Sequence, residues 1–237
     1  MELSIKSEHF TPKFLYINLN NSNNSFYPIF YRTPTVTLNN LLFETPWMDV
    51  PAGVNQYSMD KKEGKFYLDL SFNGYKDNNE IKNFYKVIEG LDNFITNFID
   101  NYQDILGITH KGNYKYNNLL RFNKNNINNS NNINNTNNTN NSNINNNKSS
   151  QLPFLKIKIY NGITPVFDLN NNKIDNFMEN IKPNSKIQAL IKCNGLWVYE
   201  KNWGLSLKVC KMIVKKSDIL PEYPFLENSL NLDEEKN

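Results

Sequence analysis

The sequence predicts a mainly-β fold with helices, an α+β arrangement built around a five-stranded Greek-key barrel. Three observations predict it. Apolar residues alternate with polar ones over 65–72, 154–160 and twice within 186–216, the pattern of strands that bury one face. A single long stripe at helical spacing, over about 79–101, lies between the first two runs. A shorter helical pattern then precedes a final pair of strands, an order that a small closed sheet accommodates.

The elements follow from their residues. Over 1–33 the chain is mixed and aromatic-bearing, and Phe26, Tyr27, Phe30 and Tyr31 are read as a short strand or an arm over the core. Val36 to Phe43 reads as a strand, after which Pro46 and Trp47 turn the chain, Pro46 having no donor and a fixed φ. In 65–72, Phe66, Leu68, Leu70 and Phe72 share one face, and Asn73-Gly74 is a tight-turn pair. Ile81, Phe84, Ile88, Leu91, Ile95 and Ile99 then form a helical stripe, which is core packing and not a ligand box. Gly90 in its middle is unfavourable by about 1 kcal/mol relative to Ala. In FLKIKIY, 154–160, Leu155, Ile157 and Ile159 point one way. Lys156, Lys158 and Tyr160 point the other. Asn172 is expected to cap a helix through Ile174, Phe177 and Ile181, broken by Pro183. The last two strands make a hairpin. Ile187, Ala189, Ile191 and Cys193 share a face of the first, and Leu205, Leu207, Val209, Lys211 and Ile213 share a face of the second.

Residues 123–147 are about two-thirds asparagine. Such a tract cannot bury enough apolar surface to offset its ordering entropy. We therefore expect a disordered loop, 123–150, inside one domain spanning 34–216. Residues 1–33 are expected as an N-terminal extension and 217–237 as a flexible acidic tail. From Ser217 onward six acids face one lysine, which leaves a net charge of +8 on the rest of the chain. A basic body suits a polyanionic partner, and an acidic end suits partner recruitment or self-masking. Cys193 and Cys210 give no disulfide framework and favour a reducing compartment; a turn centred near Glu200 to Asn202 would let them face each other as buried thiols. No secretory pattern and no apolar run of bilayer length is present, so a soluble intracellular protein is expected.

The hairpin carries the chemistry. Near its tip stand Trp197, Tyr199 and Trp203 among Lys192, Lys201 and Lys208, while Lys156, Lys158 and Tyr160 supply rings and cations on the neighbouring strand. Arg121 adds a further cation ahead of the Asn tract. Flat rings beside cations on one exposed face are what single-stranded nucleic acid requires, because bases stack on the rings while cations follow the phosphates. Trp203, beyond the turn and next to Gly204, is the better candidate for a base contact; Trp197 ends a core strand and reads equally as core. These residues belong on an oligonucleotide-binding (OB) barrel. RNA in place of DNA stays open, as does a barrel of this kind that binds only proteins. No phosphate-cradling glycine loop, dinucleotide fingerprint, nucleophile elbow or zinc-protease motif is present, so an enzyme is not expected. Asp49, Asp60, Glu63 and Asp69 match no metal-ligand spacing, and no metal or cofactor is expected.

The block 187–216 also resembles a known family, the single-stranded DNA-binding proteins of nucleocytoplasmic large DNA viruses, which are related to phage replication proteins of the same kind. The resemblance rests on Cys193, Gly195, Leu196 and Trp197, then Trp203-Gly204, then Lys208, with FLKIKIY upstream; it covers 152–216 and, more loosely, 65–122. It implies an OB-fold and sequence-tolerant binding of single-stranded DNA in replication, recombination or repair, without catalysis, in the nucleus or wherever DNA is replicated. It also implies that an acidic tail, here with Asp233, Glu234 and Glu235, recruits replication or repair proteins. Leu207 stands where the family pattern has an aromatic residue.

Overall fold

A computed structural model describes residues 4–19, 25–34, 37–38, 41–56, 65–104, 106, 114–122, 152–160 and 162–216. The expected Asn-rich loop and acidic tail lie outside the described residues. Two short 3-10 turns, Ser7–His9 and Pro12–Phe14, lead into β1 (Leu15–Ile17) and β2 (Phe26–Arg32). β3 (Thr37–Leu38), β4 (Leu41–Glu44), β5 (Met48–Val50), β6 (Asn55–Gln56) and β7 (Lys65–Ser71) follow. Next come α1 (Asn79–Tyr102), β8 (Lys115–Asn117), β9 (Leu120–Arg121), β10 (Phe154–Tyr160) and β11 (Val166–Phe167). The short α2 (Phe177–Asn180) precedes the hairpin of β12 (Ser185–Tyr199) and β13 (Asn202–Lys215). The protein is mainly β with helices.

The hairpin organises the sheet. Along one edge β12 pairs successively with β5 at 185–187, with β4 at 190–193 and with β2 at 195–197. Along its other edge it pairs with β13 over nearly its whole length. From β5 the pairing passes to β7, from β7 to β10, and from β10 in parallel to β13. The order of pairing thus returns to the strand it left, with β5–β7 and β10–β13 the shortest joins. Thr45 bridges the gap between β4 and β5: its hydroxyl accepts from Ala189 N and its own N–H donates to Ala189 O. That reciprocal pair holds the chain in the sheet just before Pro46, which has no N–H to give.

Leu68 and Leu70 of β7, Leu155, Ile157 and Ile159 of β10, and Ile187, Ala189 and Ile191 of β12 are buried as the alternation requires. Helix α1 begins at Asn78, whose side chain accepts from the N–H groups of Glu80 and Ile81 and so satisfies two of the helix's free donors. It buries Phe84, Val87, Ile88, Leu91, Ile95 and Ile99, each contributing about 1.5–3 kcal/mol relative to exposure. Gly90 is where Pro12 crosses: a Cβ there would stand 2.9 Å from the Pro12 ring. Close approach of the N-terminal segment, not helix propensity, selects this glycine.

Three expectations are corrected. Asn172 does not cap a long helix. It closes a turn in which Asp168 accepts from Asn170 N, Asn172 N and the Asn172 amide, and the helix shrinks to four residues. The phase of β13 changes at a bulge between Val209 and Lys211, so Met212 and Val214 point inward and Ile213 does not. The two cysteines do not meet either, because the tight turn that pairs Tyr199 with Asn202 sets the register of the hairpin. Cys193 lies opposite Leu207 while Cys210 is the extra residue of the bulge. Neither cysteine is in a disulfide, and burial pushes the Cys193 thiol up to about 12.

Candidate nucleic-acid interface

A cleft of about 620 Å³ opens where β10, β13 and the end of β12 meet the segment 117–121 and the start of β2. Lys156 and Lys158 come from β10, Leu205, Ser206 and Leu207 from β13, and Trp197 and Tyr199 from β12. Asn117, Asn118, Leu119 and Arg121 form the facing wall, and Phe26 closes one end. The wall is a strap. β8 runs parallel to β13, with Tyr116 opposite Trp203, and β9 pairs with β10, with Arg121 opposite Phe154.

The two tryptophans have opposite roles because they alternate across the hairpin. Trp197 is half-buried and lies opposite Gly204; a Cβ on Gly204 would stand 3.0 Å from the indole Cζ2. The missing side chain lets the ring lie across β13 toward the cleft. Trp203, expected to touch a base, is only 2% exposed and stacks on Tyr116 with ring centroids 4.2 Å apart. It is a core residue beneath the strap. Tyr199, 64% exposed, is the most open ring of the cleft.

The cations divide as well. Lys158 pairs in register with Lys208, and Lys208 with Lys192, so three lysines form a row across β10, β13 and β12. Their neighbours Ile157, Val209 and Ile191 are buried, which turns all three lysines outward. Adjacent strands are about 4.8 Å apart, and like charges directly opposed on a sheet destabilise it. Lys156 is differently placed: its ammonium lies 3.7 Å over the Tyr67 ring and 4.0 Å from Asp69. Burial holds the Lys156 ammonium below its ordinary range despite Asp69. Burial likewise raises the Asp69 carboxyl, against the pull of Lys156 and Arg121. Lys201 is exposed in the turn and its carbonyl accepts from Lys115 N, while Tyr160 is half-buried beyond Lys158, away from the cleft lining.

Of the expected site residues, the cleft therefore gathers Trp197, Tyr199, Lys156, Lys158 and Arg121, with Lys208 and Lys192 beside it. Phe26, Asn117, Asn118 and Leu205 escaped the sequence reading. Leu205 lies on the hairpin two residues past Trp203, while the strap and a distant strand bring in the other three, which nothing local marks. Leu207, noted where an aromatic ring was expected, does line the cleft and gives it apolar surface without a ring. Of the acids considered for a metal, Asp49 pairs with Lys186 at 3.5 Å and Asp60 and Glu63 lie outside the described residues. Among the described residues, no group of three or more His, Cys, Asp or Glu could hold a metal ion. No helix among them is long and apolar enough to cross a membrane.

Fold and cleft together define a mainly-β protein with a ring-bearing, lysine-flanked groove. Compared with known proteins, residues 125–228 match the model of a family of unknown function, DUF5871. No curated protein matches the chain in sequence. Among solved structures, it is similar to gp2.5, a single-stranded DNA-binding protein encoded by bacteriophage T7. That likeness has 10% identity and a TM-score of 0.45, over 75% of this chain and 87% of the other. The single-stranded DNA-binding protein from bacteriophage Enc34, in complex with single-stranded DNA, is similar at 9% identity and TM-score 0.40, over 84% and 94%. A C-terminal truncation of the same protein scores 0.37 at 9% identity, over 88% and 98%.

Proposed function

We propose that the chain is a non-catalytic OB-fold protein, its sheet closed as a five-stranded Greek-key barrel, that binds single-stranded DNA without sequence preference. One observation carries the reading: the in-register row Lys158, Lys208 and Lys192 runs beside a cleft that presents Trp197 and Tyr199. Three cations side by side on one outward face concentrate positive potential, which a polyanion laid along the row would meet. The rings then face the bases, each stack contributing about 1–3 kcal/mol. The resemblance of 187–216 to viral single-stranded DNA-binding proteins points the same way, toward replication, recombination or repair. The acidic tail, with Asp233, Glu234 and Glu235, serves there to mask the groove or to recruit replication and repair proteins.

An anisotropy titration with a mixed-sequence DNA single strand tests this. Binding should weaken with salt as counterions are released, and Lys208→Ala should reduce the logarithmic salt slope by about 0.7. Absence of binding at low salt, or preference for duplex, overturns the reading. Equal affinity for RNA would widen the ligand class, since stacking and phosphate contacts do not depend on the 2′-OH.

A further inference from the structure

Asp92 lies on α1, outside the lining of the cleft but against its wall, and no motif singles it out. Its carboxylate nevertheless receives three donors from the strap: the Tyr116 hydroxyl, Leu119 N at 2.9 Å and Leu120 N at 3.0 Å. The strap's own ladders are short, three residues in β8 and two in β9. Between them it must cross from β13 to β10, and the two amides that Asp92 captures lie in or beside that crossing. On either side stand the groups that enter the cleft, Asn117 and Asn118 before, Arg121 after. Tyr116, held by Asp92, is also the ring under which Trp203 is stacked.

We propose that Asp92 is the positioning residue of the cleft wall, fixing the strap so that Arg121 and Asn118 face the bound strand, while the Asn117 amide donates to the Trp203 carbonyl and ties the strap to β13. This rests on the reading of the cleft as a single-stranded DNA site. A carboxylate near a polyanion groove is unfavourable when its charge reaches the ligand. Here the charge is turned inward and spent on three donors, so it orders the wall while remaining shielded from phosphate. Burial raises the Asp92 carboxyl, and the three donors pull it back toward the ionised form they require.

The test uses the full chain. Asp92→Ala should weaken single-strand binding about tenfold, the effect of losing hydrogen bonds to a charged group. Amide hydrogen exchange at Leu119 and Leu120 should accelerate while β12 and β13 stay protected. Arg121→Ala should cost little more in the Asp92→Ala background, whereas Lys208→Ala, on the other side of the groove, should cost as much as in the parent. Asp92→Asn keeps one acceptor oxygen and should restore part of the affinity; it also serves if the alanine variant does not fold. Unchanged affinity, unchanged exchange at the two amides, or additive losses for Asp92 and Arg121 each overturn the proposal. If the parent protein fails to bind single strands, the reading of the cleft falls, and exchange at Leu119 and Leu120 still decides whether Asp92 sets the wall.

Discussion

Trp197 and Trp203 stand six residues apart in one hairpin, yet substitution should separate them cleanly. Trp203→Ala removes a buried ring and its stack on Tyr116. It should cost about 3–5 kcal/mol of stability. Trp197→Ala should leave the melting temperature nearly unchanged and lose about 1–3 kcal/mol of single-strand affinity. Thermal melts beside anisotropy titrations check the pair, and the reverse assignment would show that the cleft has been placed on the wrong face. Trp203 shares the period of Leu205 and Val209 and so reads as inward, whereas Trp197 could not be placed from sequence, because a slip of one residue exchanges the two faces of a strand. The irregularity between Cys193 and Gly195 that sets this phase leaves no mark in composition. Asp69 offers a second test. Burial raises its carboxyl, so its ionisation opposes folding. The contribution is fully present below the ordinary value of about 3.9 and is lost as pH rises through the higher folded value. The ionised form also holds Lys156 and opposes phosphate. Single-strand affinity should therefore increase as pH falls through that titration, and Asp69→Asn should bind about twofold tighter at neutral pH with a flatter profile. A variant with the parent's pH dependence would assign the titration to another group.

Long periodic elements were legible and short ones were not. The stripe of α1, the alternation of β7 and β10, and the hairpin could be read because each repeats its pattern over seven residues or more. β5 has only three residues, Met48–Val50, and follows a Thr-Pro pair that reads as a turn. Yet β5 joins β12 to β7. What makes it a strand is tertiary: Thr45 docks on Ala189 and delivers the next residues to the edge of β12. Gly195 shows the same dependence. A Cβ there would approach the Tyr27 carbonyl to 2.2 Å, so the glycine is selected by β2, more than 160 residues earlier in the chain. The strap was invisible for a related reason. Its two short ladders and its anchor on Asp92 come from three separate parts of the sequence, and none has a period.

At the scale of the whole molecule, charge is segregated along the chain: +8 over residues 1–216 and −5 over 217–237. A tail that competes for the lysine row should act through long-range electrostatics, which have a reach of about 10 Å at 0.1 M salt and about 30 Å at 0.01 M. Deleting 217–237 should then raise single-strand affinity most at low salt, with the two binding curves converging as salt increases. The Lys208→Ala variant should gain less from the deletion than the parent, since tail and strand would share that contact. Anisotropy titrations of the four proteins across a salt series measure all of this at once. Identical affinities with and without the tail at every salt concentration would exclude masking and leave recruitment as the tail's role. A gain that does not depend on Lys208 would move the tail's contact away from the row. The lysines proposed to attract DNA to the groove are thus the same ones on which any self-masking must be read out.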